Sequence, residues 1–182
     1  HEGAFSFYAG DIAARIVERV QRGGGILQLQ DLAAVRPRIE EPIHVCCDDY
    51  EVFTPPPPAG GITALQILNV LREAEVAPSD FATCGYYELL IDAARYAWAD
   101  RFEYLGDPDF THVPIDYLLS EQRAREILRD ISAGAPAADI STTSSSPHTV
   151  HIVAVDRDRN MVSLTATHGS WFGSLIAVKG LG

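Results

Sequence analysis

Lysine is all but missing from this 182-residue chain: Lys179 stands alone, and 14 Lys+Arg against 25 Asp+Glu leave a net charge of −11. A chain this acidic has no basic stripe with which to neutralise a phosphate backbone, which excludes nucleic acid as a partner. Long hydrophobic runs are missing too. Each apolar stretch is broken by a charge or a glycine well short of the roughly 20 residues that cross a bilayer, and no basic-then-apolar leader follows His1. No membrane span is expected. Cysteine is confined to Cys46, Cys47 and Cys84, an odd number with two adjacent and no C-x-x-C. That spacing argues against a zinc knuckle or a thioredoxin-like site and says nothing of redox compartment.

What is present is the make-up of one globular domain or two small ones, 47% hydrophobic and 21% charged. Such a chain buries roughly 70% of its unfolded surface and needs neither metal nor disulfide to hold a core. It opens at His1 without methionine and stops at Gly182 just after an apolar run, so it reads as a piece of something longer.

Apolar residues at helical spacing predict a helix over Tyr8 to Val20 with a Gly23-Gly24-Gly25 stop, and a short one over Gln30 to Ala34. Ile43 to Cys47 and Glu51 to Phe53 read as a small hairpin around Asp48-Asp49-Tyr50. Pro55 to Pro58 reads as extended, and Gly60-Gly61 opens a buried helix carrying Ile62, Leu65, Leu68 and Leu71. Further helices are expected from Tyr86 to Tyr104 and from an N-cap at Ser120 to Ile131. Residues 132–148, rich in Ala, Gly, Ser, Thr and Pro, cannot build a core and read as a flexible linker.

Beyond the linker, Thr149 to Val155 and Met161 to Thr167 alternate as a β-hairpin. With the turn centred on Asp158, paired residue numbers sum to 316, so Thr149 faces Thr167, His151 faces Thr165, Val153 faces Ser163 and Val155 faces Met161. One face carries Val150, Ile152, Ala154, Val162, Leu164 and Ala166 and is wholly apolar, which marks it for a core. A one-residue slip would bury the hydroxyls instead, so the register is well specified. A threonine that starts a strand straight after a polar linker suggests an N-terminal nucleophile. Cutting the bond between His148 and Thr149 would place a new α-amine beside the Thr149 hydroxyl, as the general base that an internal threonine lacks.

Several segments then fall in a specific order: Phe7-Tyr8-Ala9-Gly10-Asp11; Gly24-Gly25-Ile26-Leu27; Pro56-Pro57-Pro58-Ala59-Gly60-Gly61; Asp92-Ala93-Ala94-Arg95-Tyr96-Ala97-Trp98-Ala99-Asp100-Arg101; Leu105-Gly106-Asp107-Pro108-Asp109-Phe110; Thr149-Val150-His151 with Val155-Asp156 and Asn160; and Phe172-Gly173-Ser174. In this order they resemble the γ-glutamyltranspeptidase family of N-terminal nucleophile hydrolases over nearly the whole chain. The resemblance implies an α+β fold, part of a four-layer αββα sandwich of helices and antiparallel strands. It also implies a zymogen that cleaves itself between His148 and Thr149. Residues 1–148 would then end the large subunit, and 149–182 would be the first strands of the small one.

By the same resemblance Thr149 is the nucleophile, attacking the γ-carbonyl of glutathione or a similar small-molecule γ-glutamyl donor. The γ-glutamyl-enzyme ester passes its acyl group to water or an amino acid, with no metal or organic cofactor. Thr167 matches the family threonine that hydrogen-bonds the nucleophile, the same pair that the register reaches from the residues alone. Gly169 stands where the family usually has an asparagine that holds the donor's α-amino group, which opens the alternative of an amide acylase with a different donor. Asp92 and Arg95 replace a usual Glu and Lys. The family's carboxylate-binding arginine and oxyanion donors lie outside these residues. The resemblance therefore implies that this piece alone is inactive and works with the remainder of its own large and small subunits. A periplasmic or extracellular setting is implied, a cytoplasmic one being the alternative.

The rival of another class is a catalytically silent structural module with the junction left uncut. Other motifs read as structure. Asp156-Arg157-Asp158-Arg159-Asn160 imitates half of an EF-hand but lacks its glycine and closing Glu, and so reads as a polar turn; by the resemblance, Arg159 stands where the family more often has Gly. The glycine clusters fit no phosphate loop, and the proline run reads as a structural corner. Asp100, Arg101 and Asp107 read as an ion-pair cluster, and His44, His112 and His151 as too scattered to hold a metal.

Overall fold

In a computed structural model that describes residues 3–47, 49–137, 148–169 and 173–181, the chain forms helices α1 (Ala4–Tyr8), α2 (Asp11–Arg22) and α3 (Leu29–Ala34), strands β1 (Ile43–Cys47) and β2 (Tyr50–Thr54), and helix α4 (Gly61–Glu73). A 3₁₀ turn (Pro78–Asp80), helices α5 (Cys84–Tyr104), α6 (Ile115–Leu118) and α7 (Glu121–Ser132), and strands β3 (His148–Val155) and β4 (Met161–Gly169) follow. The mixture of helices and antiparallel hairpins is the α+β composition expected. Packing divides it into two units, residues 39–142 and residues 1–38 with 143–182.

The first of these is built on three helices. Polar caps set where two of them start: the Thr83 hydroxyl accepts the Tyr86 N–H at 3.2 Å, and the Ser120 hydroxyl accepts the Arg123 N–H at 3.1 Å. Each cap is worth about 1 kcal/mol. Between α4, α5 and α7, Val70, Ala93, Tyr96, Ala124 and Ile127 form a buried cluster. The alanines let the helices approach, and the Tyr96 hydroxyl, which enters the cluster's edge, donates to the Ala135 carbonyl at 2.7 Å. A second cluster joins Ile62, Val113 and Leu118, with Ile43 of β1 packed against it. Gly61 is required by close approach, since a Cβ there would strike the Thr54 side chain down to its Cβ.

Asp100 is buried on α5 and is held from two sides. Arg123 of α7 donates to its two carboxylate oxygens at 2.6 and 2.9 Å, and the Gln66 amide of α4 donates as well. Burial works against the Arg123 charge, but the hydrogen bonds and charge of Asp100 outweigh it and raise the guanidinium above its ordinary value. The expected cluster of Asp100, Arg101 and Asp107 does not form. Successive helical residues diverge by about 100°. Arg101 therefore leaves the inward face and lies over the Trp98 ring, 5.1 Å from its centroid, while Asp107 accepts the Asp109 N–H at 3.0 Å. The proline run forms the structural corner expected of it but is not extended throughout. It turns at Pro57–Pro58, whose peptide is cis, and the Ala59 N–H closes the turn on the Pro56 carbonyl at 3.1 Å.

In the other unit, the helix expected from Tyr8 is broken at Ala9-Gly10 into α1 and α2. The break brings the two backbones together, so that a Cβ at Gly10 would lie 2.8 Å from the Ser6 Cα. The Ser6 hydroxyl donates to Asp11 at 2.6 Å across the junction and, as the leading cause, holds that carboxyl below its usual range. Ala13 and Val17 are the buried residues of α2, and Arg15 donates to the Lys179 carbonyl.

Strands β3 and β4 pair antiparallel in the expected register, from Thr149↔Thr167 to Val155↔Met161. At the turn the Asp156 carboxylate accepts the Asp158 N–H (2.8 Å), the Asn160 N–H (2.9 Å) and the Asn160 amide (2.8 Å). The carboxylate is thus engaged by its own turn, as the polar-turn reading expects. Arg159 adopts φ +66° there, the left-handed backbone that explains a preference for glycine at that position. The apolar face differs from expectation. It is exposed, with Val150, Ile152, Val162 and Leu164 each more than half accessible. A two-stranded ribbon can hide a face only under a second layer, and the described residues supply none. The linker expected over 132–148 lies, from 138 to 147, outside the described residues. Among those described, no helix is long and apolar enough to cross a membrane.

Candidate active site

The polar face of the β3–β4 hairpin gathers hydroxyls because side chains alternate along a strand and Thr149, His151, Thr165 and Thr167 occupy alternate positions. Thr149 and Thr167 sit directly opposite one another, with their Oγ1 atoms 3.0 Å apart. One step along, His151 Nδ1 lies 2.8 Å from Thr165 Oγ1, and its Nε2 lies 3.2 Å from Ser163 Oγ. The Ser163 contact is a diagonal one that direct pairing did not anticipate, although diagonal neighbours lie within reach of an imidazole. Both ring nitrogens of His151 are therefore engaged by hydroxyls.

The strand register shifts between His148 and Thr149, so the ladder is irregular at the peptide bond singled out from the sequence. Across from His148 stands Gly169, at φ +74° and, among the described residues, with nothing within 4 Å of where a Cβ would project. Glycine serves the backbone conformation here.

This arrangement holds a hydroxyl in place without activating it. A threonine hydroxyl is a weak nucleophile until a base takes its proton. Among the described residues the recorded hydrogen-bond partner of Thr149 Oγ1 is another hydroxyl and no carboxylate or imidazole. The hairpin could therefore position the atom and leave the base to come from elsewhere. His44 and His112 belong to the other unit.

Comparison with known proteins places these features in context. The chain is 36% identical over 179 residues to the glutathione hydrolase proenzyme of Escherichia coli K12, covering 94% of this chain and 31% of that protein. It is 30% identical over 185 residues to the acylase ACY 1 proenzyme of Pseudomonas sp. SE83, covering 100% of this chain and 33% of that one. Among solved structures, the cephalosporin acylase from Bacillus halodurans superposes with a TM-score of 0.78 at 30% identity, over 96% of this chain and 31% of its own. The γ-glutamyltranspeptidase of Helicobacter pylori gives 0.65 at 29% identity, over 78% and 44%. The chain thus spans about a third of the length of the curated relatives it matches. The sequence model described as gamma-glutamyltranspeptidase matches residues 1–182, and the chain belongs to that family.

Proposed function

We propose that this chain carries the maturation junction of a γ-glutamyltransferase or glutathione hydrolase, a self-cleaving enzyme in which Thr149 is the N-terminal nucleophile and Thr167 its hydrogen-bond partner. The 3.0 Å Thr149–Thr167 hydroxyl pair, standing beside the register shift at the 148–149 bond, carries the reading. Hydrolysis of that bond leaves residues 1–148 in a large subunit and 149–182 at the head of a small one, and frees the Thr149 α-amine. The amine takes the proton of the Thr149 hydroxyl as the oxygen attacks the γ-carbonyl of the donor. Thr167 donates to the nucleophilic oxygen and fixes its direction. The leaving amine departs with the proton, and the γ-glutamyl ester passes to water or to the amine of an acceptor amino acid. Oxyanion donors come from the remainder of the protein's own subunits, each worth on the order of 10²-fold in rate. A periplasmic or extracellular setting belongs to the same proposal.

Gly169 favours a second reading in which the donor is another acyl amide. It offers no side chain to grip an α-amino group, and both an acylase proenzyme and a cephalosporin acylase stand among the relatives. The test is to mature the protein together with the rest of its subunits, offer γ-glutamyl anilide or an N-acylated cephalosporin, quench in acid and map the adduct. A γ-glutamyl mass on the peptide that begins at Thr149 supports the first reading, and a cephalosporin side-chain acyl mass there supports the second. Turnover that persists in Thr149→Ala overturns both.

A further inference from the structure

The β1–β2 hairpin turns one face towards the helices and the other to solvent. Ile43 packs against the Ile62 cluster and Val45 is buried, while His44, Cys46, Glu51 and Phe53 alternate with them on the outward side. Register brings the outward residues together. Cys46 pairs directly with Glu51, and His44 stands two residues before Cys46, opposite Phe53. A thiol, an imidazole and a carboxylate thereby converge, with one ligand atom from each lying within 4.8 Å of the others. We propose that this outward face is a zinc-binding site, with His44, Cys46 and Glu51 as its three protein ligands and water as the fourth.

The chemistry of the set selects the ion. One sulfur, one ring nitrogen and one carboxylate oxygen match the borderline character of Zn²⁺, whereas Ca²⁺ and Mg²⁺ require mostly oxygen. Tetrahedral bond lengths to zinc put ligand atoms about 3.4–3.6 Å apart, so a contraction of about 1 Å closes the set, within reach of side-chain rotation alone. Two features limit that search. The His44 ring lies on Phe53, with centroids 5.1 Å apart and planes tilted by 31°. Arg72 of α4 donates to the Cys46 carbonyl at 2.5 Å and so fixes the backbone that carries the thiol. Cys46 is also exposed, although cysteine is among the most buried residue types. On binding, the Cys46 thiol gives its proton to solvent as the S–Zn bond forms, so binding tightens as pH rises. The ion bridges β1 to β2 around the connecting turn and clips the hairpin shut. Comparing histidines with one another misses this site, because its ligands alternate in kind and meet only once the strand register is known. The site lies in the unit that does not contain Thr149, and it stands whether or not the proposed function does.

Cobalt serves as the visible probe. The full 182-residue chain, stripped with chelator and kept reduced by a phosphine, is titrated with Co²⁺ and then with Zn²⁺. The expected result is a saturable thiolate-to-cobalt charge-transfer band at one ion per chain that Zn²⁺ abolishes. Cys46→Ser should remove the band. His44→Gln and Glu51→Gln should each weaken binding by more than about tenfold, the scale on which even outer-shell partners act, and Cys47→Ser and Cys84→Ser should leave it unchanged. In the unaltered chain, Zn²⁺ should also slow alkylation of Cys46 more than about tenfold relative to Cys84, a readout that needs no variant to fold. No band, a band that survives Cys46→Ser, full affinity in both His44→Gln and Glu51→Gln, or equal alkylation of Cys46 and Cys84 would each overturn the proposal.

Discussion

Isoleucine has opposite fates in the two regions that matter most. Ile127 of α7 is fully buried between three helices, whereas Ile152 of β3 remains 55% exposed on a hairpin of equally apolar neighbours. The helical region closes its own core. The hairpin takes its geometry from cross-strand pairs and a carboxylate-held turn, with an apolar face left open. The paired Thr149 and Thr167 hydroxyls thus stand on an element whose apolar face is exposed, while the buried clusters lie among the helices.

Substitutions sharpen that contrast in a graded series. Arg123→Ala leaves Asp100 buried without its cation and should cost about 4 kcal/mol, read as a lowered urea midpoint. Ile127→Ala should cost about 3 kcal/mol through transfer and cavity terms. Ile152→Ala, chemically the same change on the open face, should stay within about 0.5 kcal/mol in the isolated chain. An equal loss at Ile127 and Ile152 would break the comparison.

The smallest effect concerns acid. Hydrogen bonds from the Asn160 side chain first, and from the backbone N–H groups of Asn160 and Asp158, hold the Asp156 carboxyl below its ordinary range. A depressed folded value contributes stability that is present above the unfolded value and is lost as pH falls through the folded one. Exchange of the Asn160 amide should therefore show extra loss of protection below the ordinary carboxylate range, and Asp156→Asn should remove that step. A pH-independent opening of the turn would show that Asp156 does not hold it.

Local signals made much of this legible. The hairpin register follows from alternation and one turn centre, and it alone brings Thr149 to Thr167. Ser120 marks its helix start because a hydroxyl there satisfies a free N–H. Long-range choices were not legible. Asp100 has an arginine beside it in sequence, yet helix rotation hands it to Arg123 on another helix. The break at Gly10 depends on a close approach to Ser6 that spacing cannot report, and alternation names the apolar face of β3–β4 without naming its cover.

In the proposed function the bond before Thr149 is the maturation site and Thr149 cuts it. Its most direct test is the denaturing intact mass of the complete precursor that carries this chain, measured beside Thr149→Ala. Two fragments meeting between His148 and Thr149 are expected in the parent and one uncut mass in the variant. A single uncut mass in both, or a split that persists in Thr149→Ala, would contradict it.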